Sequence, residues 1–110
     1  MGKDVCDDQK EVCLRFGAEY LESPPNLKVG IAENVKTGLQ PIKGLRQEPV
    51  GDTTGWYIFA GEEESEDDDF YVPLHVHHLS EWCPAVLKYL GLPPGWGFVI
   101  ADGYEDVFRI

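Results

Sequence analysis

Apolar residues recur at positions 13, 16 and 20, the three- and four-residue spacing that lines one face of a helix. Cys13, Phe16 and Tyr20 form this stripe and Val12, Leu14 and Leu21 widen it, which predicts an amphipathic helix over residues 7–22. Asp7 or Asp8 caps its start, with Glu11 in capping-box spacing after Asp8. Gly17 weakens its middle, and Ser23-Pro24-Pro25-Asn26 ends it, because residues before proline avoid the α region. The pattern then changes to period two. Leu27, Val29 and Ile31 alternate with Lys28, Gly30 and Ala32 in a strand reaching Val35. Thr37-Gly38 and Pro41 mark a turn, residues 42–47 read as a second strand, and residues 49–54 as a loop. Trp56, Tyr57, Ile58 and Phe59 suit a pleated surface and make residues 55–61 the best-marked strand. Phe70 to Leu74 re-enters the core as an extended piece. Trp82, Val86, Leu87, Tyr89 and Leu90 supply the buried face of a second helix over residues 80–90, with Pro84 in its first turn. Gly91 takes the left-handed position after it, Leu92 packs back, and Pro93-Pro94 stop it. Trp96 to Ala101 alternates large and small residues, Asp102-Gly103 turns the chain, and Tyr104 to Ile110 returns as the last strand. The order predicts a single α+β domain over residues 1–110, a small antiparallel sheet of about five strands with two helices packed on one face.

Charge adds a direction to this picture. Residues 1–46 are electrically balanced, and the whole formal charge of −11 lies in residues 47–110. Seven of the acids there stand together: Glu62, Glu63, Glu64, Glu66, Asp67, Asp68 and Asp69. The run cannot pack and reads as a solvated loop. Its field repels nucleic acid and anionic membrane, and attracts basic proteins. No apolar run approaches the ~20 residues of a membrane span, and Met1-Gly2-Lys3-Asp4 lacks the apolar core of a secretory signal. Three cysteines, Cys6, Cys13 and Cys83, cannot close into a disulfide framework. Free thiols in a cytoplasmic protein are the expectation.

Chemistry is sparse. His75-Val76-His77-His78, with Cys83 five residues on, has the flavour of a metal site. Zinc takes three or four N, S or O ligands in a tetrahedral array. Adjacent histidines on an extended segment point apart, and no second ligand pair follows, so the expectation is no bound metal. One or two of these rings read as buried hydrogen-bonders and the rest as surface. Cys83 near a helix start reads as a small buried hydrophobe rather than a nucleophile. Gly91-Leu92-Pro93-Pro94-Gly95-Trp96 lacks any phosphate-loop pattern. Glu105-Asp106 read as solvated acids on a terminal strand, and Trp56, Trp82 and Trp96 as core. No catalytic residue and no cofactor emerge.

One ordered pattern runs from Gly44 to Val107. It comprises Gly44-Leu45-Arg46 with Pro49, Gly55-Trp56-Tyr57-Ile58 with Gly61-Glu62, then Phe70, Pro73-Leu74-His75 and His78-Leu79. Lys88-Tyr89-Leu90, Leu92-Pro93-Pro94-Gly95-Trp96 and Tyr104-Glu105-Asp106-Val107 complete it. The pattern resembles the immunity-protein thirty-three family of bacterial polymorphic toxin systems, itself similar to a bacterial family of unknown function. That family often has Arg after the last Trp, where this chain has Gly97. The resemblance implies an α+β domain that binds and neutralises a toxin delivered by a neighbouring cell. It assigns no catalytic residue, and its polar members are Arg46, His75 and His78.

Together these readings predict a non-enzymatic immunity-type protein whose partner is a protein, a basic toxin domain, met through the acidic run. A metal-binding or hydrolytic domain built on His75, His77 and His78 is the alternative, and a general regulatory interaction module a third.

Overall fold

The computed structural model describes residues 5–65, 67 and 69–110, with the side chains of Val5 and Cys6 excepted. Met1–Asp4 and, in the acidic run, Glu66 and Asp68 lie outside the described residues. The chain runs α1 (Val5–Phe16), β1 (Lys28–Ala32), β2 (Ile42–Arg46), β3 (Thr53–Ala60), β4 (Tyr71–His75), α2 (Leu79–Trp82), β5 (Trp96–Ala101) and β6 (Tyr104–Arg109). Three 3-10 segments, Glu33–Thr37, Val76–His78 and Pro84–Tyr89, lie between them.

The fold is α+β, and its sheet has six strands rather than about five. Phe70 to Leu74 is the source of the extra one, because β4 pairs antiparallel with β1 at the edge of the sheet. The sheet is also mixed rather than antiparallel. In the order β4-β1-β3-β2-β5-β6, the β1–β3 pair is parallel and every other pair antiparallel. The reason is insertion: β3 folds back antiparallel on β2 but enters on the side where β1 already lies, and so runs with β1.

Helix α1 is shorter than the stripe suggests. It ends at Phe16, and Gly17 follows at φ 74°, the left-handed position that glycine adopts without a Cβ penalty. The Ala18 N–H donates to the Cys13 carbonyl at 2.9 Å, a six-to-one closure of the Schellman type. Gly17 therefore stops the helix rather than weakening its middle. Asp7 and Asp8 sit inside the first turn, where the helix dipole favours anions, rather than before it as caps.

The second predicted helix is broken in two. Cys83, at φ −160°, separates the single turn of α2 from the 3-10 segment that Pro84 opens. Proline has no N–H to continue a ladder and forces its predecessor out of the α region. Gly91 does not adopt a positive φ. A glycine stands there because a Cβ would lie 2.7 Å from the Tyr20 ring and 3.0 Å from the Gln9 side chain. The turn after Asp102 is as expected, with Gly103 at φ 73° and Ala101 paired to Tyr104.

One face of the sheet carries the core. Ile31, Ile58, Gly44, Phe98 and Val107 form one row across β1, β3, β2, β5 and β6. Trp56 and Arg46 lie in the next row, and Val29 and Leu74 pair beside them. Val12 and Cys13 of α1 cover this face together with Val76, Leu79, Val86, Tyr89, Leu90 and Leu92, all buried. Phe98 needs Gly44 beneath it: a Cβ there would lie 2.2 Å from the Phe98 ring. Tyr89 stacks on the other side of Phe98, at 4.7 Å and 17°. Among the described residues, no helix packs on the opposite face of the sheet.

Candidate functional site

Arg46, a polar member of the sequence pattern, is 2% exposed and has no carboxylate partner among the described residues. Its guanidinium is held by backbone carbonyls instead. Nε donates to Thr54 at 2.9 Å, and Nη1 to Leu21 at 2.8 Å, Leu92 at 2.9 Å and Leu90 at 3.2 Å. Nη2 donates to Glu22 at 3.2 Å. Burial draws its pKa down to about 10, still far above neutrality, so the group stays charged. The fork ties β3, the segment after α1 and the turn before β5 into one knot. The Leu90 carbonyl at its centre also accepts from Ser23 Oγ at 2.6 Å and Trp56 Nε1 at 3.1 Å. Arg46 is thus fully occupied in holding the fold together.

The histidines come together, against the expectation that adjacent rings diverge. β4 ends at His75 and the 3-10 turn at Val76 brings the next two rings round. His77 and His78 lie 4.0 Å apart by ring centroid, and His75 lies 5.4 Å from His77 and 6.3 Å from His78. None is a buried hydrogen-bonder: His75 is half-buried and the other two are exposed. His78 Nδ1 lies 3.3 Å from Glu81. Among the described residues, no group of three His, Cys, Asp or Glu could hold a metal ion. Cys83 is buried, and burial pushes its thiol pKa up, opposite to the shift that activates a nucleophile.

Glu105 is not a solvated acid. Its carboxylate accepts from the Tyr89 hydroxyl and from Arg15 at 2.7 Å, with Lys88 at 3.6 Å. These partners, Tyr89 foremost, hold it below the usual carboxylate range. The group lines a cleft of about 680 Å3 between α1, the 84–89 segment and the β5–β6 turn. Sequence reasoning missed the cluster because Arg15 and Glu105 lie ninety positions apart. Asp106, on the other face of β6, is exposed.

The described acids of the run, Glu62, Glu63, Glu64, Asp67 and Asp69, are all exposed on the β3–β4 connection. The connection is tied to the uncovered face of the sheet. Lys43 of β2 donates to the Glu62 carbonyl at 2.9 Å, and the Tyr71 hydroxyl donates to the Glu64 carboxylate. Asp67 caps its own turn by accepting from the Asp69 N–H at 3.2 Å.

That uncovered face is aromatic. Tyr57 meets Tyr71 edge-on at 5.2 Å, and Phe59, Phe70 and Tyr71 contact one another at 4.9 to 6.4 Å. Tyr57 is 40% exposed and Tyr104 56%. The run Trp56 to Phe59 hid this division, since four large residues in a row show no inside and no outside. The register separates them: Trp56 and Ile58 enter the core, whereas Tyr57 and Phe59 lie on the opposite side, Tyr57 exposed and Phe59 buried against Phe70 and Tyr71.

No helix in the described residues is long and apolar enough to cross a membrane. No curated protein and no solved structure matches the chain. The family model for the Imm33-like domain matches residues 8–110. This match spans the sheet, the Arg46 knot, the acidic connection and the open aromatic face, and the chain belongs to the Imm33-like family.

Proposed function

We propose that this chain is a non-enzymatic immunity protein that neutralises a basic bacterial toxin domain by binding it. Membership of an immunity-type family supports the class. The observation that carries the partner's chemistry is the charge: −11 in all, gathered in residues 47–110 and concentrated on an exposed connection. Such a surface accelerates encounter with a cationic protein and penalises nucleic acid and anionic membrane. The work of the acids Glu62, Glu63, Glu64, Glu66, Asp67, Asp68 and Asp69 is to steer. Arg46 serves the fold, and the steering uses neither His75 nor His78. The protein acts in the cytoplasm of the cell it protects.

The test uses the product of the neighbouring toxin gene that the immunity reading requires, purified in an inactive form; the lack of such a gene would remove that reading. Stopped-flow association at several salt concentrations should give an on-rate that falls steeply with ionic strength. Changing the seven acids to Gln or Asn should slow association and flatten that dependence. An on-rate and salt slope equal to the parent's would remove the steering role. Absence of binding by the parent would remove the immunity reading.

A further inference from the structure

We infer that the open face of the sheet is the docking surface for the basic protein partner, with Tyr57 and Tyr104 as its exposed anchors and the acidic β3–β4 connection as its rim. The inference rests on the immunity reading and names the contact surface within it.

The geometry comes from register. Pro73, Gly30, Tyr57, Leu45, Gly97 and Phe108 form one continuous row across all six strands on the side that no helix covers. Lys43, Val99 and Asp106 belong to the next row beside Phe59. The row is thus apolar and aromatic for most of its length, where a solvated sheet face ordinarily alternates to polar residues. Tyrosine combines a large apolar ring with a hydroxyl handle, which is why it is enriched at the energetic centres of interfaces. Two hollows give the face relief. One of about 180 Å3 lies between Tyr57, Tyr71 and Pro73, and one of about 380 Å3 between Lys43, Val99 and Tyr104.

Charge selects the occupant. The two lysines at this face are already engaged with acids, Lys43 with Glu62 at 3.9 Å and Lys28 with Asp52 at 2.9 Å. Glu63, Glu64, Asp67 and Asp69 are exposed anions on the connection that leads into Phe70 and Tyr71, and Tyr71 meets it through Glu64. A second copy of the chain would bring a second charge of −11 against this rim, which opposes self-association. A cationic protein with apolar side chains at the centre of its patch matches both parts. Six strands at ~4.8 Å spacing and ~17–20 Å of length present on the order of 450 Å2 in projection. That is roughly half of the ~800 Å2 per partner of a standard interface, before the rim is counted.

The probe is again the required toxin domain in its inactive form. Tyr57→Ser and Tyr104→Ser should each weaken its binding about tenfold or more, and mainly through the off-rate. Leu14→Ser, on the 84% exposed position of α1 at the other side of the molecule, should stay within about twofold of the parent. Hydroxyl-radical footprinting of the unmodified chain should protect Tyr57, Tyr104 and Phe108 in the complex, so the test does not depend on how well a variant folds. Parent-like binding by both tyrosine variants, with protection falling on the α1 side instead, would overturn the docking surface and leave the immunity reading standing. A parent dimer in sedimentation that Tyr57→Ser dissociates would assign the face to a second copy and overturn it too. Failure of the parent to bind the toxin domain would remove both readings together.

Discussion

Arg46 and Trp56 lie directly opposite one another across the β2–β3 ladder, and both reach the same acceptor, the carbonyl of Leu90. A guanidinium and an indole from neighbouring strands thereby fix the turn that precedes β5. Arg46→Met should destabilise the domain by about 3 kcal/mol, because a buried carbonyl left unpaired costs ~1–3 kcal/mol. It leaves the carbonyls of Leu21, Glu22, Thr54, Leu90 and Leu92 without this donor. Arg46→Lys should recover little, because a compact ammonium cannot span acceptors that a planar fork reaches together. Urea unfolding of the three proteins checks the order.

The tryptophans should separate. Trp56 is 1% exposed, and Trp56→Ala should cost ~3–5 kcal/mol. Trp96 is only half-buried at the edge of the core, and Trp96→Ala should cost ~1–2 kcal/mol. Equal losses at the two positions would show that the start of β5 is packed as tightly as the centre of β3.

Gly44→Ala, a change of one methyl group, should be among the more damaging substitutions in the sheet. The new Cβ would lie 2.2 Å from the Phe98 ring, which is itself held by Tyr89 at 4.7 Å and Trp56 at 5.6 Å. Overpacking of this kind costs ~1–3 kcal/mol. A double variant, Gly44→Ala with Phe98→Leu, should recover part of the loss in thermal unfolding, and a purely additive pair would refute the clash.

Glu105 gives the domain an acid-sensitive contact. Tyr89, Arg15 and Lys88 favour its ionised form in the folded state, so the unfolded chain takes up the proton at a higher pH. The contribution is therefore fully present above the ordinary carboxylate value of 4.5 and is lost as pH falls through the depressed folded value. Glu105→Gln should lower stability by about 1 kcal/mol at neutral pH and by less in acid. The same change should bring the Tyr89 phenol, now raised by burial and by Glu105, back toward its usual range in a spectrophotometric titration.

Local pattern carried some elements and not others. The Cys13–Phe16 stripe, the aromatic strand β3 and the Asp102-Gly103 turn were legible because each is set by residues within a few positions of one another. The parallel pairing of β1 and β3 was not, since it depends on β3 lying between β1 and β2 rather than on the far edge of β2. The acidic connection was visible as composition, but its ties to Lys43 and Tyr71 were not, because they follow from sheet register. Arg46 illustrates the opposite failure. A charged residue reads as surface, and only five carbonyls converging from three parts of the chain make its burial tolerable. The histidine rings met for a local reason that the sequence hid: a 3-10 turn replaced the extended backbone at Val76.

The Leu90 knot also sets an order of events. Gln9, Cys13 and Ser23 bind the carbonyls of Leu87, Gly91 and Leu90, partners made 67 to 78 residues later. Loops of that length must close before these contacts are gained, which slows folding. During synthesis α1 would emerge first and wait for nearly the whole domain before it had a surface to dock on. Until residues 87–92 clear the ribosome, the apolar side of the nascent sheet lacks its cover.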